Sequence, residues 1–332
     1  MDELTDQAPP RSAVESGERS DGSDGQPRVS GGARGRIFRA TPWDLVPAAL
    51  VVAHFSCLIL FLAAWPQLNW WARIGGAAAY GFAIGWSLDS VAHNFIHNPF
   101  FVWRPLNRAV AYLLSIVNGV PQTMYDFVHM RHHAGNSDRK RADGTTIDPI
   151  SLYQYGRDGR QEPMLSYVFL QYWRDDGPFT VARQIRAKRP AQAAEAMHEF
   201  WVMIAVYAAA LAVNWQFVLV VAPFYYLGQC LTALIAYYEH LGADPDEPLA
   251  WGVSTYAPIY NWMFLNNGYH AEHHFRPKWH WSRMEALREE IAAEMTRVRT
   301  RVIGTAHYLG FLERSSREIP VAGGAGSAAR RP

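Results

Sequence analysis

Three short runs of histidine carry the chemistry of this chain: His93-Asn94-Phe95-Ile96-His97, His129-Met130-Arg131-His132-His133 and His270-Ala271-Glu272-His273-His274. On a helix, residues three or four apart lie on nearly one face, so each run aims two or three imidazoles in one direction. Imidazole is the commonest protein metal ligand and suits Zn, Cu, Fe and Ni. Eight converging imidazoles exceed the needs of one tetrahedral ion, and the simplest physical reading is a site for two metals. A structural zinc cluster would close four local ligands and usually draw on cysteine. The two cysteines, Cys57 and Cys230, both lie inside apolar runs. They offer no disulfide framework, Cys-x-x-Cys motif or Cys-based cluster.

The elements that must position these runs follow from the apolar pattern. Residues 1–38 are rich in Gly, Ser, Asp, Glu and Arg and cannot bury enough surface to order themselves; they lack the apolar core of a signal peptide and read as a disordered cytoplasmic tail. Residues 43–65 carry one charge, Asp44, and are long enough to cross a bilayer. Pro66-Gln67-Leu68-Asn69 turns the chain, and residues 70–92 run back, so that His93 and His97 emerge where this second span ends. His54, inside the first span, is a candidate functional group, although packing with a local hydrogen bond explains it as well. Ala109 to Val117 is too short to span and predicts a re-entrant or interfacial helix, ended by Pro121. The second histidine run follows, then a polar region from Ala134 to Gln192. A second hairpin covers 198–213 and 217–238, with a turn at Asn214-Trp215-Gln216 and a kink expected at Pro223. Glu239-His240 stands at its end, as the first histidine run stands after the second span. Leu241 to Trp262 reads as a loop. Trp279-His280-Trp281 is placed at the membrane interface, and Ser282-Arg283-Met284-Glu285 fits a capping box opening a helix through about Val302. Residues 314–332 form a Gly/Ala/Arg tail, expected to be disordered.

The fold expected is therefore all-α and integral to the membrane. Four transmembrane helices form two hairpins, and a cytoplasmic helical cap holds a di-metal site; the folded domain is 39–313. The turns at 66–69 and 214–216 contain no Lys or Arg, whereas the central region is rich in both, so the positive-inside rule puts the histidines and both termini in the cytoplasm. Thirteen Trp and 16 Tyr suit an aromatic belt. A net charge of +1 implies no attraction to nucleic acid.

Two membrane hairpins carrying His-x-x-x-His, His-x-x-His-His and His-x-x-His-His on one side resemble the membrane fatty acid desaturase and hydroxylase superfamily, over roughly residues 40–310. The resemblance implies two irons held by the eight box histidines and a ninth after the fourth span. Carried over residue by residue, the ligands are His93, His97, His129, His132, His133, His240, His270, His273 and His274. The three-residue gap in the first box is closer to the acyl-lipid and bacterial members. Asn266-Asn267-Gly268-Tyr269-His270 with Glu272 resembles a bacterial subgroup, which implies an inner membrane. Carboxylates near the ligands, Asp89, Asp126, Glu239 and Glu272, are candidates to orient imidazole N–H groups.

The resemblance implies an oxygen-dependent di-iron enzyme acting on a fatty acyl or lipid substrate among membrane lipids, with O2 as co-substrate, most simply a desaturase. A hydroxylase and a decarboxylase forming terminal alkenes share the scaffold. Electrons must come from a separate carrier such as ferredoxin. Arg139-Lys140-Arg141 could dock an acidic carrier, or serve only as a positive-inside charge run. A membrane zinc protease would show His-Glu-x-x-His, and the first box has Asn94 where that Glu would stand. A metal-binding or transport protein is the non-redox alternative, but a transporter would place its ligands at mid-membrane.

Overall fold

A computed structural model describes residues 36–313. The described chain is mostly helical. Thr41 and Asp44 form a reciprocal capping box that opens α1 (Leu45–Ala64). Asn69 caps α2 (Trp70–Ser87) by accepting from the Ala72 N–H at 2.9 Å. α2 leads through a π-helical turn, Leu88–Ala92, into α3 (His93–His97). There follow α4 (Arg104–Asn118), α5 (Gln122–Gly135), α6 (Met164–Arg174), α7 (Pro178–Lys188), α8 (Pro190–Val213) and α9 (Trp215–His240). Among the described residues, three stretches are long and apolar enough to cross a membrane: Pro42–Gln67, Pro190–Val213 and Trp215–His240. α2 is not among them, because Arg73, Trp70, Trp71, Trp86 and four glycines lower its apolarity. It packs instead along α9 at very close range. A Cβ on Gly81 would lie 2.4 Å from the Phe224 carbonyl oxygen, and one on Gly228 2.4 Å from that of Gly81. Small residues at such a crossing let two backbones approach.

α4 and α5 form a hairpin whose tip is inserted among α2, α8 and α9. A helix leaves its last four carbonyls without intrahelical partners, and here every one is met. Tyr207 OH donates to Ile116 O at 2.6 Å, Tyr80 OH to Val117 O at 2.8 Å and Gln229 Nε2 to Asn118 O at 3.0 Å, while Gly119 N bonds Ser115 O at 2.9 Å. Tyr225 OH adds a bond to Gly119 O at 3.1 Å. Gly119 turns the chain at φ +70°, where a Cβ would also strike Tyr225. The first N–H groups of α5 are met by Ser115 Oγ and by the buried Glu199 carboxylate of α8, 2.7 Å from Thr123 N. Arg108 of α4 neutralises Glu199 at 2.8 Å.

The polar region 134–192 contains more regular structure than its charge implies. α6 lies along α9, where Tyr226 OH bonds Phe169 O at 2.6 Å and Tyr237 OH bonds Glu162 O at 2.9 Å. Arg139 pairs with Asp246 at 2.6 Å, and Lys140 donates to Gly156 O at 2.9 Å, so two members of the basic run serve to fasten loops. Beyond α9 the expected loop holds a strand, β1 (Ser254–Thr255), and the start of α10 (Pro258–Met263). α11 (His270–Phe275) and α12 (Met284–Arg297) follow, and β2 (Val302–Ile303) pairs parallel to β1.

Two local expectations are corrected. The capping box at 282–285 does not form. His280 instead accepts from Ser282 N to cap a 3-10 turn, and α12 stops at Arg297 because 302–303 are needed in the strand pair. Trp279 and His280 are buried rather than interfacial; His280 Nε2 sits 2.9 Å from Asp44 Oδ1 and ties the C-terminal part to the start of α1. The two expected tails fall largely outside the described residues. Of the first, residues 36–38 are described, and Phe38 bridges Phe101.

Candidate metal centre

The nine predicted histidines come together as two sets. His93, His97, His129, His133 and His273 form one; His132, His240, His270 and His274 form the other. Within each set the ligand nitrogens lie within 4.8 Å of one another. The second box therefore serves both sets: His129 and His133, four apart, face the first, and His132 faces the second. The third box divides likewise, with His273 in the first set and His270 and His274 in the second.

Local chain geometry explains the aim of each ring. α5 ends in two left-handed residues, Asn136 (φ 49°) and Ser137 (φ 54°). This turn brings Asn136 Oδ1 to His274 Nδ1 at 2.8 Å and Ser137 N to Asp148 Oδ2 at 2.6 Å. Before α11 the chain folds tightly at Leu265 and Asn266, both at positive φ. Gly268 fits there because a Cβ would meet Thr255 O at 2.4 Å and Asn261 Oδ1 at 2.5 Å. The turn delivers Asn267, which accepts from His93 Nδ1 at 3.0 Å and donates to Glu239 Oε1 at 2.7 Å.

The donor set fits metal ions. His132 Nδ1 donates to Asp148 Oδ2 at 2.9 Å and His240 Nδ1 to Trp251 O at 3.1 Å; with the Asn267 and Asn136 contacts, four rings spend their one proton outward. Their Nε2 lone pairs are left facing inward, and His274 Nε2 is buried without a hydrogen-bond partner among the described residues. Within the sets, Nε2 atoms approach to 2.8 Å (His93–His273 and His97–His129), 3.0 Å (His129–His133 and His240–His270) and 3.1 Å (His133–His273). Adjacent ligands at right angles on metal–imidazole bonds of about 2.0–2.1 Å would be separated by about 2.9 Å. The spacing is that of neighbours in a coordination sphere. Burial pushes His93 down to about 4 and holds His97, His129, His133, His270, His273 and His274 well below the ordinary imidazole range, with neighbouring imidazoles adding repulsion. The rings are thus neutral, the form that binds metal. A cavity of about 10 Å³ beside His93 and His273, walled by Asn266, Trp279 and Trp281, has room for one water-sized molecule.

The four carboxylates fare differently. Glu239 stands 3.5 Å from His270 Nδ1 and reaches His93 through Asn267, so it adjoins both sets. Asp89 is buried in the π turn near Glu239. Asp126 instead pairs with Arg189 at 3.2 Å, and Glu272 accepts from Ser254 Oγ at 2.6 Å and Tyr256 OH at 2.8 Å. Among the described residues neither has an imidazole partner. Asp148 and Asn136 do, and the sequence reading missed both; so was His307, buried 3.6 Å from Glu239 with Nε2 on Val253 O at 2.9 Å. His54 belongs to neither set. It is buried beside Tyr80, ring centroids 5.7 Å apart.

Residues 68–305 match the fatty acid desaturase family. The chain belongs to that family. The matched stretch holds all nine histidines and excludes His54. A fatty acid desaturase of Bacillus subtilis (strain 168) is 23% identical over 217 residues, 57% of this chain and 59% of that protein. The aligned part thus spans under two thirds of the relative's length. In this fatty acid desaturase family member, the stretch that matches the family, 68–305, begins at the turn before α2 and ends just after β2, so it includes both histidine sets and the elements that carry them.

Proposed function

We propose that the protein is a di-iron membrane oxidoreductase that uses O2 to introduce a double bond into a fatty acyl chain. The carrying observation is the division of nine imidazoles, six buried and three half-buried, into sets of five and four at ligand spacing. The five-residue set would hold one iron and the four-residue set the other. Bound there, the irons supply the oxygen activation needed to remove hydrogen from an unactivated C–H bond. The balanced reaction is –CH2–CH2– plus O2, two electrons and two protons giving –CH=CH– plus two water molecules. The chain supplies the rest. Asp148, Asn136, Asn267 and the Trp251 carbonyl fix the rings and their tautomers, and the cap above the spans excludes water.

The same reading takes α2 as the second of four spans, its Gly-rich face sealed on α9, with the histidines and both termini on the cytoplasmic side of a bacterial inner membrane. The acyl chain enters between the spans. No Cys-based cluster is available to relay electrons, so a separate donor such as a ferredoxin supplies them. The histidine sets lie at helix ends rather than along the long apolar helices, which speaks against a metal transporter.

The test is a product profile. Cells expressing the protein with a ferredoxin system receive fatty acids of several lengths, and lipids and headspace are analysed by gas chromatography–mass spectrometry beside His132→Ala. A new double bond, absent in the variant, is the expected result. A hydroxyl or volatile terminal alkene instead would replace desaturation by hydroxylation or decarboxylation; absence of any oxidised product from an iron-loaded, membrane-inserted protein would overturn the acyl substrate.

A further inference from the structure

The first histidine box is delivered by a break in helical regularity. α2 is an α-helix to Ser87, widens into a π turn over Leu88–Ala92, then resumes as α3. An α-helix advances about 100° per residue. A π turn accommodates one extra residue, so everything beyond it is rotated by about 100° from where a regular helix would put it. Without the turn, His93 and His97 would leave the face they share with His129, His133 and His273.

Widening a turn disturbs the carbonyls of its backbone ladder, and side chains meet three of them here. Ser90 Oγ donates to Trp86 O from within the turn. The other two donors come from α5. Gln122 Nε2 reaches Ala92 O at 3.1 Å, and Tyr125 OH reaches Leu88 O at 3.2 Å. Gln122 and Tyr125 are three apart, on one face of α5. His129 is four residues further on, its ring centroid 5.8 Å from that of Tyr125, and its Nε2 is 2.8 Å from that of His97. The helix that carries the second box thus grips the irregular turn that carries the first.

We propose that the π turn is a register device for the five-histidine set, and that Gln122 and Tyr125 are positioning residues that hold it. Neither touches a reacting atom. They act by fixing the rotation of α3 against α5. The inference rests on the metal-centre reading, yet its test separates the two. Gln122→Met and Tyr125→Phe, singly and together, remove the donors while keeping shape. Tyr207→Phe removes a comparably placed hydroxyl that caps the far end of α4 and does not touch the π turn.

Two readouts are made. Hydrogen exchange on metal-free protein is expected to rise about tenfold for the peptide covering 86–97 in the double variant and to stay unchanged there in Tyr207→Phe. Mössbauer spectra of protein loaded with enriched ferrous iron are expected to change only in the signal of the five-histidine set, with product formation down about tenfold, in the range seen when outer partners of metal ligands are lost. Unchanged exchange across 86–97, or equal changes in both iron signals, would overturn the proposal. Wild-type protein that binds no iron would overturn the metal-centre reading instead, and the exchange result would still decide the role of the turn.

Discussion

Alanine at His97 and alanine at His274 are each expected to abolish product formation, and, on the di-iron proposal, to remove different metals. His97 belongs to the five-histidine set and His274 to the set of four. Each variant is expected to keep about one iron per chain, and the retained iron differs in its spectrum between the two. Activity should fall by more than the roughly 10–100-fold typical of losing an outer partner, because a direct ligand is gone. Folding should survive both changes, since the Ser254–Glu272 and His132–Asp148 contacts are kept in each, although His274→Ala also removes the partner of Asn136. Iron analysis with Mössbauer spectroscopy on both variants checks this. Loss of both irons in either variant would mean that the sets are not independent sites.

Asp148→Ala is expected to have the next largest effect. Its Oδ2 holds His132 Nδ1 at 2.9 Å and accepts from Ser137 N at 2.6 Å, while Oδ1 accepts from Ile150 N at 2.9 Å. The side chain is fully buried. It therefore orients one ligand and shapes the chain that leaves α5. Its removal is expected to weaken metal binding in the four-histidine set by about 10–100-fold. Asp148→Asn, which keeps one oxygen and the shape, should weaken it less. Metal titration of the two variants against wild type gives the comparison; equal affinity in all three would remove Asp148 from the site.

These two cases show where the sequence was legible. The eight box histidines could be found because ligands on one helix must recur at three- or four-residue spacing, which leaves a pattern in the chain; His240 stands alone and was reached only through the family resemblance. The ligands' outer partners leave no such pattern. Asp148 follows the second box by 15 residues across an irregular loop, and Asn136 matters only because it adopts a left-handed conformation at the end of α5. Asp126 and Glu272 stand close to box histidines in sequence, yet Arg189 takes one and two hydroxyls take the other. Glu272 illustrates the reason: it lies one residue before His273, so its side chain points about 100° away from the ligand face. The π turn was invisible because counting by 3.6 assumes the regularity that the turn breaks. α6 and α7 were hidden by the charge of 134–192, since each offers only a short apolar face to its neighbour. That the apolar run in α4 is too short to span was readable from its length; the three tyrosines and Gln229 that cap its end come from distant helices and were not.

The most direct measurement is the metal content of the purified full-length protein, taken with its Mössbauer spectrum after reconstitution with ferrous iron. Two irons per chain, giving two distinct signals of equal area, is the predicted result, because five and four imidazoles make unlike sites. One iron per chain, a single signal, or a preference for zinc with no iron retained would contradict the assignment of these histidines to a di-iron centre.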